Sequence, residues 1–596
     1  MRELKALLPY LKRYRGRIAI GLATVLVSNA VNVWSLEFVK KGVDALGRAD
    51  TSVTRIGWYA AATTGLALVA GAGRYWMREI LNGVSRRVEA DLRDDFFGHL
   101  LRLDAGFYAT HPTGEIMSRA TADIQAVRMV AGPAYMYLVN TVVFGVMAIA
   151  RMAMVDVRMT VLALLPMLLL PPTTIFFGKL IHDRFEKIQE QLGVMSTMAQ
   201  ENLAGQRIVK AYGQEEAQSA RFRGLAHESL RRNVALSVSS GFFYPALGVL
   251  AGSAMALALW LGGRQILAGR ITTGELVLFL LYLGMLSWPM IALGWVVNLF
   301  QRGAASMGRV SRVLDQQPLV RDAPGAVAPA HVRGEVEFRG VSFAYPGTAR
   351  AVLRDVSFRV PAGATAAIVG PTGSGKSTVV SLLARLHDPT EGEVLLDGIP
   401  VRQWRVRRLR EAIALVPQDT FLFSDTLAEN LALGLEEGGD GDARMRRITA
   451  AAQVAQLHET VREFPGGYET MLGERGINLS GGQKQRAALA RAVARDAPVL
   501  VLDDALSAVD THTEHGILQG LRGVFAGRTS IIVSHRVTAV MNADLILVLD
   551  DGRLVEQGTH AELLRAGGVY AALQRRQLLA EQVAGDDLLA GAGGGV

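Results

Sequence analysis

Cysteine is absent from the 596 residues of this chain, which excludes disulfides, thiolate metal ligands and cysteine nucleophiles. The first residues, Met-Arg-Glu-Leu-Lys, lack the charged, apolar and small-residue segments of a cleaved signal peptide. The net charge of +8 comes mainly from arginine, but basic motifs interleaved with aromatic residues are missing, as is any known DNA-reading element. We therefore expect no nucleic-acid partner. Solvated faces and membrane-flanking segments explain the charge better.

Long apolar segments fill most of the first 300 residues, whereas the remainder has the composition of a soluble α/β domain. A helix needs about 20 apolar residues to cross a hydrocarbon core of about 30 Å. Two long, charge-rich stretches of helical pattern, 78–129 and 182–233, interrupt the apolar segments, and the other connections are short. The sequence predicts six membrane spans, namely Ile18–Phe38, Ile56–Trp76, Ala134–Met154, Thr160–Ile181, Phe242–Leu261 and Leu276–Phe300.

The distribution of positive charge indicates how these spans are oriented. Lys12, Arg13 and Arg15 precede the first span, and both long polar stretches are rich in arginine. Because cytoplasmic loops carry an excess of Lys and Arg, we expect the N-terminus and both stretches to be cytoplasmic. Six spans return the chain to the same side, so its second half is expected in the cytoplasm too. The sequence thus predicts a multi-pass protein of the cytoplasmic membrane, in contact with its lipids.

The segment Gly370-Pro-Thr-Gly-Ser-Gly-Lys-Ser377 matches the phosphate-binding pattern G-x-x-x-x-G-K-[ST]. It follows a small apolar strand, Thr365–Val369, and a helix is expected to begin near Lys376, which is the setting that a P-loop needs. Inward-turned backbone N–H groups and the positive end of the helix would surround phosphates. Lys376 would reach the β- and γ-phosphates of ATP, and the Ser377 hydroxyl would hold Mg²⁺.

Further nucleotide-site motifs accompany this loop along the chain. The apolar run Val499–Asp503 is typical of a Walker B strand, and its last residue would hold Mg²⁺ together with Ser377 and Gln418. The segment Leu479-Ser-Gly-Gly-Gln483 opens a helical stretch and offers backbone donors to a γ-phosphate. Tyr345 could stack its ring on adenine. The predicted nucleotide-binding residues are Tyr345, Gly370, Thr372, Gly373, Ser374, Gly375, Lys376, Ser377, Thr378, Gln418, Ser480, Gly481, Gly482 and Gln483.

With these motifs in order after six apolar spans, the sequence resembles an ATP-binding cassette (ABC) transporter over nearly its whole length. The resemblance implies a membrane α-helical bundle of six transmembrane helices followed by an α/β P-loop ATPase domain, with ATP and Mg²⁺ as cofactors. We predict a transmembrane domain at 1–310, a linker at 311–332, a nucleotide-binding domain at 333–577 and a disordered tail at 578–596.

Three segments resemble those of bacterial exporters in particular. Residues Phe107–Arg119 look like the first coupling region, and Gly205–Glu216 look like the second. Residues Gly473-Glu-Arg-Gly476, just before the signature, resemble the exporter X-loop. In such exporters two half-transporters dimerise, so the resemblance implies that this chain is one half of a dimer.

The residue that follows the Walker B aspartate is Asp504, where an ATPase usually has a glutamate that activates water. In the family, each ATP lies between the Walker motifs of one subunit and the signature of the other. The tract Leu502–Asp510 resembles the weakened site of heterodimeric bacterial multidrug exporters, which implies a partner with a Walker B glutamate. The candidate catalytic residues are Asp504, His535 and Gln418. A homodimer that tolerates Asp504 is the alternative, since His535 is retained although weakened sites often lose it.

The resemblance implies ATP-driven export or flipping of a hydrophobic or amphipathic molecule, and drug, lipid and peptide substrates stay open. Because no peptidase-like domain precedes the first span, export coupled to proteolysis is not expected. An ATP-gated channel or regulator would share the architecture but pass ions without stoichiometric turnover. A soluble ABC ATPase of DNA repair would explain the ATPase motifs and the basic charge, but it would not explain six apolar spans.

Overall fold

The computed structural model describes residues 3–48, 51–348, 350–435, 440–473, 476 and 479–579. The chain divides into two compact units, which are treated separately below. The first comprises Met1–Leu101 and Pro112–Gln316, and the second comprises Arg102–His111 and Gln317–Val596. Glu474 and Arg475 of the predicted X-loop lie outside the described residues, as does the predicted tail from residue 580 onward.

The first unit is helical in its described part, and six of its helices are long and apolar enough to cross a membrane. Each predicted span falls within one of them, so the prediction of a six-helix membrane bundle is confirmed. Two short helices, Leu8–Arg13 and Gln206–Ala211, and a 3₁₀ turn, Glu3–Leu7, complete the unit. The six long helices are Arg15–Leu46, Val53–Leu100, Thr113–Val155, Val157–Ala204, Glu215–Leu267 and Thr273–Leu314.

These helices are longer than a bilayer requires, because the two charge-rich stretches continue them. Helix Glu215–Leu267 has 53 residues, which extend about 80 Å at a rise of 1.5 Å per residue. The last helix ends at Leu314, so its final turn occupies the first residues of the predicted linker.

Prolines interrupt the long helices at only some positions. The fourth helix breaks after Met167, one residue beyond Pro166, and resumes at Leu170. Pro245 and Pro289 instead lie inside continuous helices. The third helix contains two π-helical segments, Arg119–Asp123 and Val130–Ala134, and the second of these includes Pro133.

Polar contacts connect helices that are far apart in sequence. In the third helix, Asp123 accepts hydrogen bonds from Arg309 Nε at 2.8 Å and from Ser306 Oγ at 2.9 Å. Arg151 forms an ion pair with Glu37 of the first long helix. An ionisable group at membrane depth is costly unless it is paired, so this pair removes a penalty that either residue alone would impose.

The described part of the second unit contains two sheets. Their strands are β1 Val336–Phe343, β2 Leu353–Val360, β3 Thr365–Val369, β4 Glu391–Leu396, β5 Ile399–Pro400, β6 Ile413–Val416, β7 Val499–Asp503, β8 Thr529–Val533, β9 Leu545–Asp550 and β10 Arg553–Gly558. The first sheet is antiparallel, with the order β2-β1-β4-β5, and the second has the order β10-β9-β3-β8-β7-β6. All neighbours in the second sheet are parallel except β9 and β10.

Helices cover the six-stranded sheet, and its buried strands have apolar side chains on both faces. In β7, Leu500 and Leu502 belong to one core cluster, whereas Val499 and Val501 belong to the other. This alternation follows from the two-residue period of a strand. The described helices of the second unit are Ala105–Thr110, Lys376–Leu383, Val406–Glu411, Leu427–Ala432, Gly441–Val454, His458–Arg462, Gly481–Arg495, Thr511–Phe525, Val537–Val540, His560–Ala566 and one at 569–579, which is called the last helix below because it is the last one described.

Part of the first predicted coupling region belongs to this second unit. Asp104 caps helix Ala105–Thr110, because its Oδ1 accepts a hydrogen bond from Gly106 N at 3.0 Å. Its other oxygen, Oδ2, accepts a hydrogen bond from Leu319 N at 2.7 Å. A Cβ on Gly106 would lie 3.7 Å from Pro346 Cγ and 4.0 Å from His387 Cε1. The segment is therefore packed beside Pro346, in the loop after β1, and beside His387.

Close helix packing in the membrane bundle generates a stability prediction. A Cβ on Gly303 would collide with Val130 Cγ2 and lie 3.3 Å from Ala126 O, whereas a Cβ on Gly263 would have nothing within 4 Å. We expect Gly303→Ala to destabilise the protein by about 1–3 kcal/mol, the usual cost of overpacking. Thermal denaturation in detergent should show a lower midpoint for Gly303→Ala than for the control, Gly263→Ala. Equal midpoints for the two variants would contradict this packing.

Candidate nucleotide site

Four neighbouring parallel strands deliver the predicted site residues to one edge of the sheet. In the order β3, β8, β7 and β6, these strands lie side by side. The P-loop follows β3, and His535 follows β8 after one residue. Asp503 ends β7, and Gln418 lies two residues beyond β6. Because ligands bind at the carboxyl ends of strands in such sheets, this edge is the expected position of a nucleotide.

The backbone of the P-loop requires glycine at two positions where the chain approaches other elements. Gly370 has a φ of 153°, and a Cβ there would collide with the carbonyl oxygen of Leu549. Gly375 has a φ of 98°, and a Cβ there would lie 2.7 Å from Leu353 Cδ2. Any other residue would push the loop away from β2 or β9. The glycines therefore let the loop curl closely against the sheet.

Lys376 is buried at the start of helix Lys376–Leu383. Its Nζ donates to Gly370 O at 2.9 Å and to Pro371 O at 2.8 Å, so the ammonium lies inside the loop. Burial lowers the pKa of Lys376 from its ordinary value, and the nearby carboxylates of Asp503 and Asp504 act in the opposite direction. An anionic ligand would complete the set of partners for this charge.

Ser377 and Asp503 meet across the site, with Ser377 Oγ donating to Asp503 Oδ1 at 3.1 Å. Burial raises the pKa of Asp503, and the neighbouring Asp504 adds to this effect, while the hydrogen bond from Ser377 opposes it. A hydroxyl and a carboxylate are hard oxygen ligands, which suit Mg²⁺ bound jointly with phosphates. The described residues contain no group of three or more His, Asp or Glu that could hold a metal without such help.

A cavity of about 210 Å³ lies between these groups. Gly370 and Ser374 do not line it, although Ser374 Oγ is a buried hydroxyl oxygen without a hydrogen-bond partner. An unpartnered polar atom inside a phosphate-binding loop fits a bound anion. The cavity brings together most of the predicted P-loop, metal and catalytic residues, together with two valines that sequence reasoning did not single out: Val352, Thr372, Gly373, Gly375, Lys376, Ser377, Thr378, Gln418, Asp503, Asp504, Val533 and His535.

Tyr345 lies close to this cavity but does not line it. Its hydroxyl is 3.2 Å from Thr378 Oγ1, within hydrogen-bonding distance. Its ring packs edge-on against Phe343 and His387, with centroid distances of 4.9 and 5.4 Å. These contacts fix the ring beside the start of the P-loop helix.

The signature residues 480–483 also do not line the cavity. Ser480 caps helix Gly481–Arg495, and the backbone N–H of Ser480 donates to Gln483 Oε1 at 2.9 Å. Ser480 and Gly481 are exposed. Within one chain, the signature and the P-loop are therefore separate parts of the site.

Gln485 is a residue that sequence reasoning missed. It is buried, and its side chain donates to Ser507 Oγ and accepts from Ala508 N, both at 2.9 Å. The signature helix is thereby connected to the loop that follows Asp504. The only local signal is a polar residue on the inner face of an otherwise alanine-rich helix.

Asp504 has a left-handed backbone, with a φ of 50°. Its N–H donates to Val533 O at 2.9 Å, which holds the residue at the end of the strand pair β7 and β8. Aspartate tolerates this conformation better than most residues that carry a Cβ. The conformation turns the chain away from β7 directly after Asp503, where both aspartates line the cavity.

Comparisons with known proteins agree with this architecture. Residues 18–290 match the family model of the ABC transporter transmembrane region, and residues 353–507 match that of the ABC transporter. The probable multidrug resistance ABC transporter ATP-binding/permease protein YheI of Bacillus subtilis (strain 168) is 35% identical, over 97% of this chain and 98% of that protein. An ATP-dependent lipid A-core flippase of Chromohalobacter salexigens is 33% identical, over 96% of this chain and 97% of that protein.

A solved structure of a bacterial Atm1-family ABC exporter with ATP bound has a TM-score of 0.78 and 32% identity. The match covers 95% of this chain and 99% of that one. The chain therefore belongs to the ABC transporter family, as an exporter-type half-transporter with a membrane domain fused to its ATPase domain. It is a multi-pass membrane protein that binds ATP and couples ATP hydrolysis to transport.

The buried position of Lys376 generates a prediction for nucleotide binding. Lys376→Ala removes the only ammonium that lines the cavity among the described residues, and we expect about a 10- to 100-fold loss of ATP affinity in this chain, as for other charged hydrogen bonds. Photolabelling with 8-azido-ATP, followed by separation of subunits on a gel, reports occupancy of this chain alone. Lys376→Arg, which keeps the charge, should retain more labelling than Lys376→Ala. Undiminished labelling of Lys376→Ala would contradict the role of this lysine.

Proposed function

We propose that this chain exports or flips a hydrophobic or amphipathic molecule across the cytoplasmic membrane as one half of a dimeric ABC exporter. The observation that carries the proposal is that one chain combines six apolar membrane helices with a phosphate-binding loop whose Ser377 contacts Asp503. Similarity to a multidrug transporter and to a lipid A-core flippase supports a drug-like or lipid substrate. We also propose that the transmembrane domain comprises residues 1–310 and the nucleotide-binding domain residues 333–577, with a linker at 311–332 between them.

In this function, the cavity at the strand edge is the ATP site. Lys376 binds the β- and γ-phosphates, and the cradle formed by Gly370, Thr372, Gly373, Ser374, Gly375 and Thr378 donates backbone and hydroxyl groups. Ser377, Gln418 and Asp503 hold Mg²⁺, which neutralises phosphate charge when bound. Tyr345 stacks on adenine. His535 and Gln418 line the same cavity as the P-loop residues, and in this proposal they orient the phosphate and the attacking water.

The exposed signature supports a site completed by a second subunit. Ser480 and Gly481 are solvent-exposed at the N-terminal end of a 15-residue helix, and such an end attracts anions. Gly482 also lies tightly against the loop after Asp504, since a Cβ there would be 2.9 Å from Ala508 O. We propose that Ser480, Gly481, Gly482 and Gln483 face the γ-phosphate of ATP bound to the partner.

Asp504 supports the assignment of a slow site to this chain. An aspartate carboxylate ends about 1.5 Å short of a glutamate's, and displacement of a catalytic group by this order can cost about 100-fold. A base must come within hydrogen-bond reach of its water. We propose that the partner is a different half-transporter with a Walker B glutamate, and that ATP held by Lys376 acts mainly as a latch. A homodimer that relies on Asp504 is the competing arrangement.

The cross-subunit signature is tested by Gly481→Asp. A carboxylate at this exposed position would occupy the space of the γ-phosphate and repel its negative charge. ATPase activity should therefore be almost abolished, as should ATP-dependent transport of a fluorescent drug or lipid into inside-out proteoliposomes. Gly523→Asp is the control, because Gly523 is an exposed helical glycine of the same unit with nothing within 4 Å of a Cβ. Normal turnover and transport in Gly481→Asp would refute the assignment.

Asp504→Asn separates the heterodimer from the homodimer. With a glutamate-bearing partner, the purified complex should keep most of its ATPase activity, and Glu→Gln in that partner should stop it. Asp496→Asn is the control, since Asp496 also has a left-handed backbone, with a φ of 57°, but does not line the cavity. Mass spectrometry establishes the subunits present. A pure homodimer that hydrolyses ATP rapidly and is inactivated by Asp504→Asn would overturn the heterodimer.

A further inference from the structure

The loop that presents His535, residues 534–536, runs from β8 to the short helix Val537–Val540. On one side it is tied to helix Thr511–Phe525, because Arg536 forms an ion pair with the buried carboxylate of Glu514. Within the loop, Arg536 N donates to Ser534 Oγ at 3.0 Å. These contacts fix Arg536, but they supply no hydrogen-bond acceptor for the backbone N–H of Val537 at the exit of the loop.

The helix that begins at this exit has no capping side chain of its own. Arg536 is the N-cap of helix Val537–Val540 and makes no side-chain capping hydrogen bond. The first N–H groups of a helix have no partner within the helix, so they need an acceptor from elsewhere. Gln577 supplies one, since its Oε1 accepts from Val537 N at 2.7 Å. Gln577 is 40 residues further along the chain, in the last helix, 569–579.

The last helix is itself anchored at its start. The carboxylate of Glu556 in β10 accepts from Val569 N at 2.5 Å and from Tyr570 N at 3.1 Å. Tyr570 is fully buried, and its hydroxyl is 2.7 Å from His560 Nδ1. The helix is thus fixed to the sheet at one end and to the exit of the His535 loop, through Gln577, further along.

Packing holds the exit of the His535 loop on this side, because Val537 is buried in the same core cluster as Tyr570, but it leaves His535 itself without such support. A cavity of about 200 Å³ lies between His535, the P-loop and the last helix. Its lining includes Gly370, Pro371, His535, Val537 and Tyr570. Since side chains do not fill this space, the hydrogen bond from Val537 N to Gln577 Oε1 is a polar link between the last helix and the loop beside the cavity.

We propose that Gln577 is a positioning residue of the nucleotide site, which holds the His535 loop in the orientation that lets His535 meet the γ-phosphate of bound ATP. The inference rests on the proposed role of His535 at the nucleotide site. Gln577 acts through Val537 and touches no substrate. Its essential feature is the side-chain oxygen, so a glutamate at this position would serve and an alanine would not.

The test is hydrogen–deuterium exchange of the complete transporter, followed in peptides that cover residues 534–541, with and without Mg²⁺ and the non-hydrolysable analogue AMP-PNP. Gln577→Ala should speed exchange without nucleotide by about fivefold, the effect of one lost hydrogen bond. It should also abolish the protection that AMP-PNP gives the wild type, while 8-azido-ATP labelling of this chain stays within about twofold. Gln577→Glu should restore both the slow exchange and the protection.

Gln574→Ala is the matched control, because Gln574 lies in the same helix and makes no hydrogen bond to the His535 loop within the described part of the chain. It should behave as the wild type. Equal protection by AMP-PNP in the wild type and in Gln577→Ala would overturn the role of Gln577 and leave the proposed function intact. Failure of Gln577→Glu to rescue would overturn it as well. Absence of protection in the wild type would instead overturn the assignment of His535 to the nucleotide site.

Discussion

Lys376 and Asp503 are buried at the strand edge. Burial lowers the pKa of Lys376 and raises the pKa of Asp503, so it favours the neutral form of each side chain. A buried charge is tolerated only where partners are close, and here two backbone carbonyls and the Ser377 hydroxyl provide the first of them. The phosphates and cation of a bound nucleotide would provide the remainder. Nucleotide binding would therefore supply partners to groups that folding has already removed from water. Because the missing partners are phosphates and a cation, the site favours a ligand that carries both. The side-by-side alignment of β3, β8, β7 and β6 brings these groups together at one edge of the sheet.

Much of this arrangement could be predicted from local sequence patterns. Strand β3 occupies the predicted Thr365–Val369, and the P-loop helix begins at Lys376 as expected. Apolar length predicted every membrane helix, because a bilayer imposes a minimum length that few other environments require. The length of an apolar segment does not predict where its helix ends. Charged residues form a helix as readily as apolar ones, and so the helices continue far beyond their apolar segments.

Contacts between distant residues carried no such signal. Nothing in the neighbourhood of Glu37 indicates Arg151, and nothing near Gln485 indicates Ala508. The hydrogen bond between Gln577 and Val537 joins the last helix to a loop two strands earlier in the chain. Each of these pairs depends on how whole elements pack, which the period of a single helix or strand does not determine. The separation of the signature from the P-loop cavity is likewise a property of the folded unit and not of either motif.

The length of the helices in the membrane unit has a mechanical consequence. In helix Glu215–Leu267, 27 residues precede the apolar segment that begins at Phe242, and they form a rod of about 40 Å. A helix bends little over such a distance, so a rotation at one end becomes a translation at the other. A tilt of about 5° would displace the far end by about 3–4 Å, roughly the rise of two helical residues. Rods of this kind convert small angular changes into movements comparable in size to a side chain.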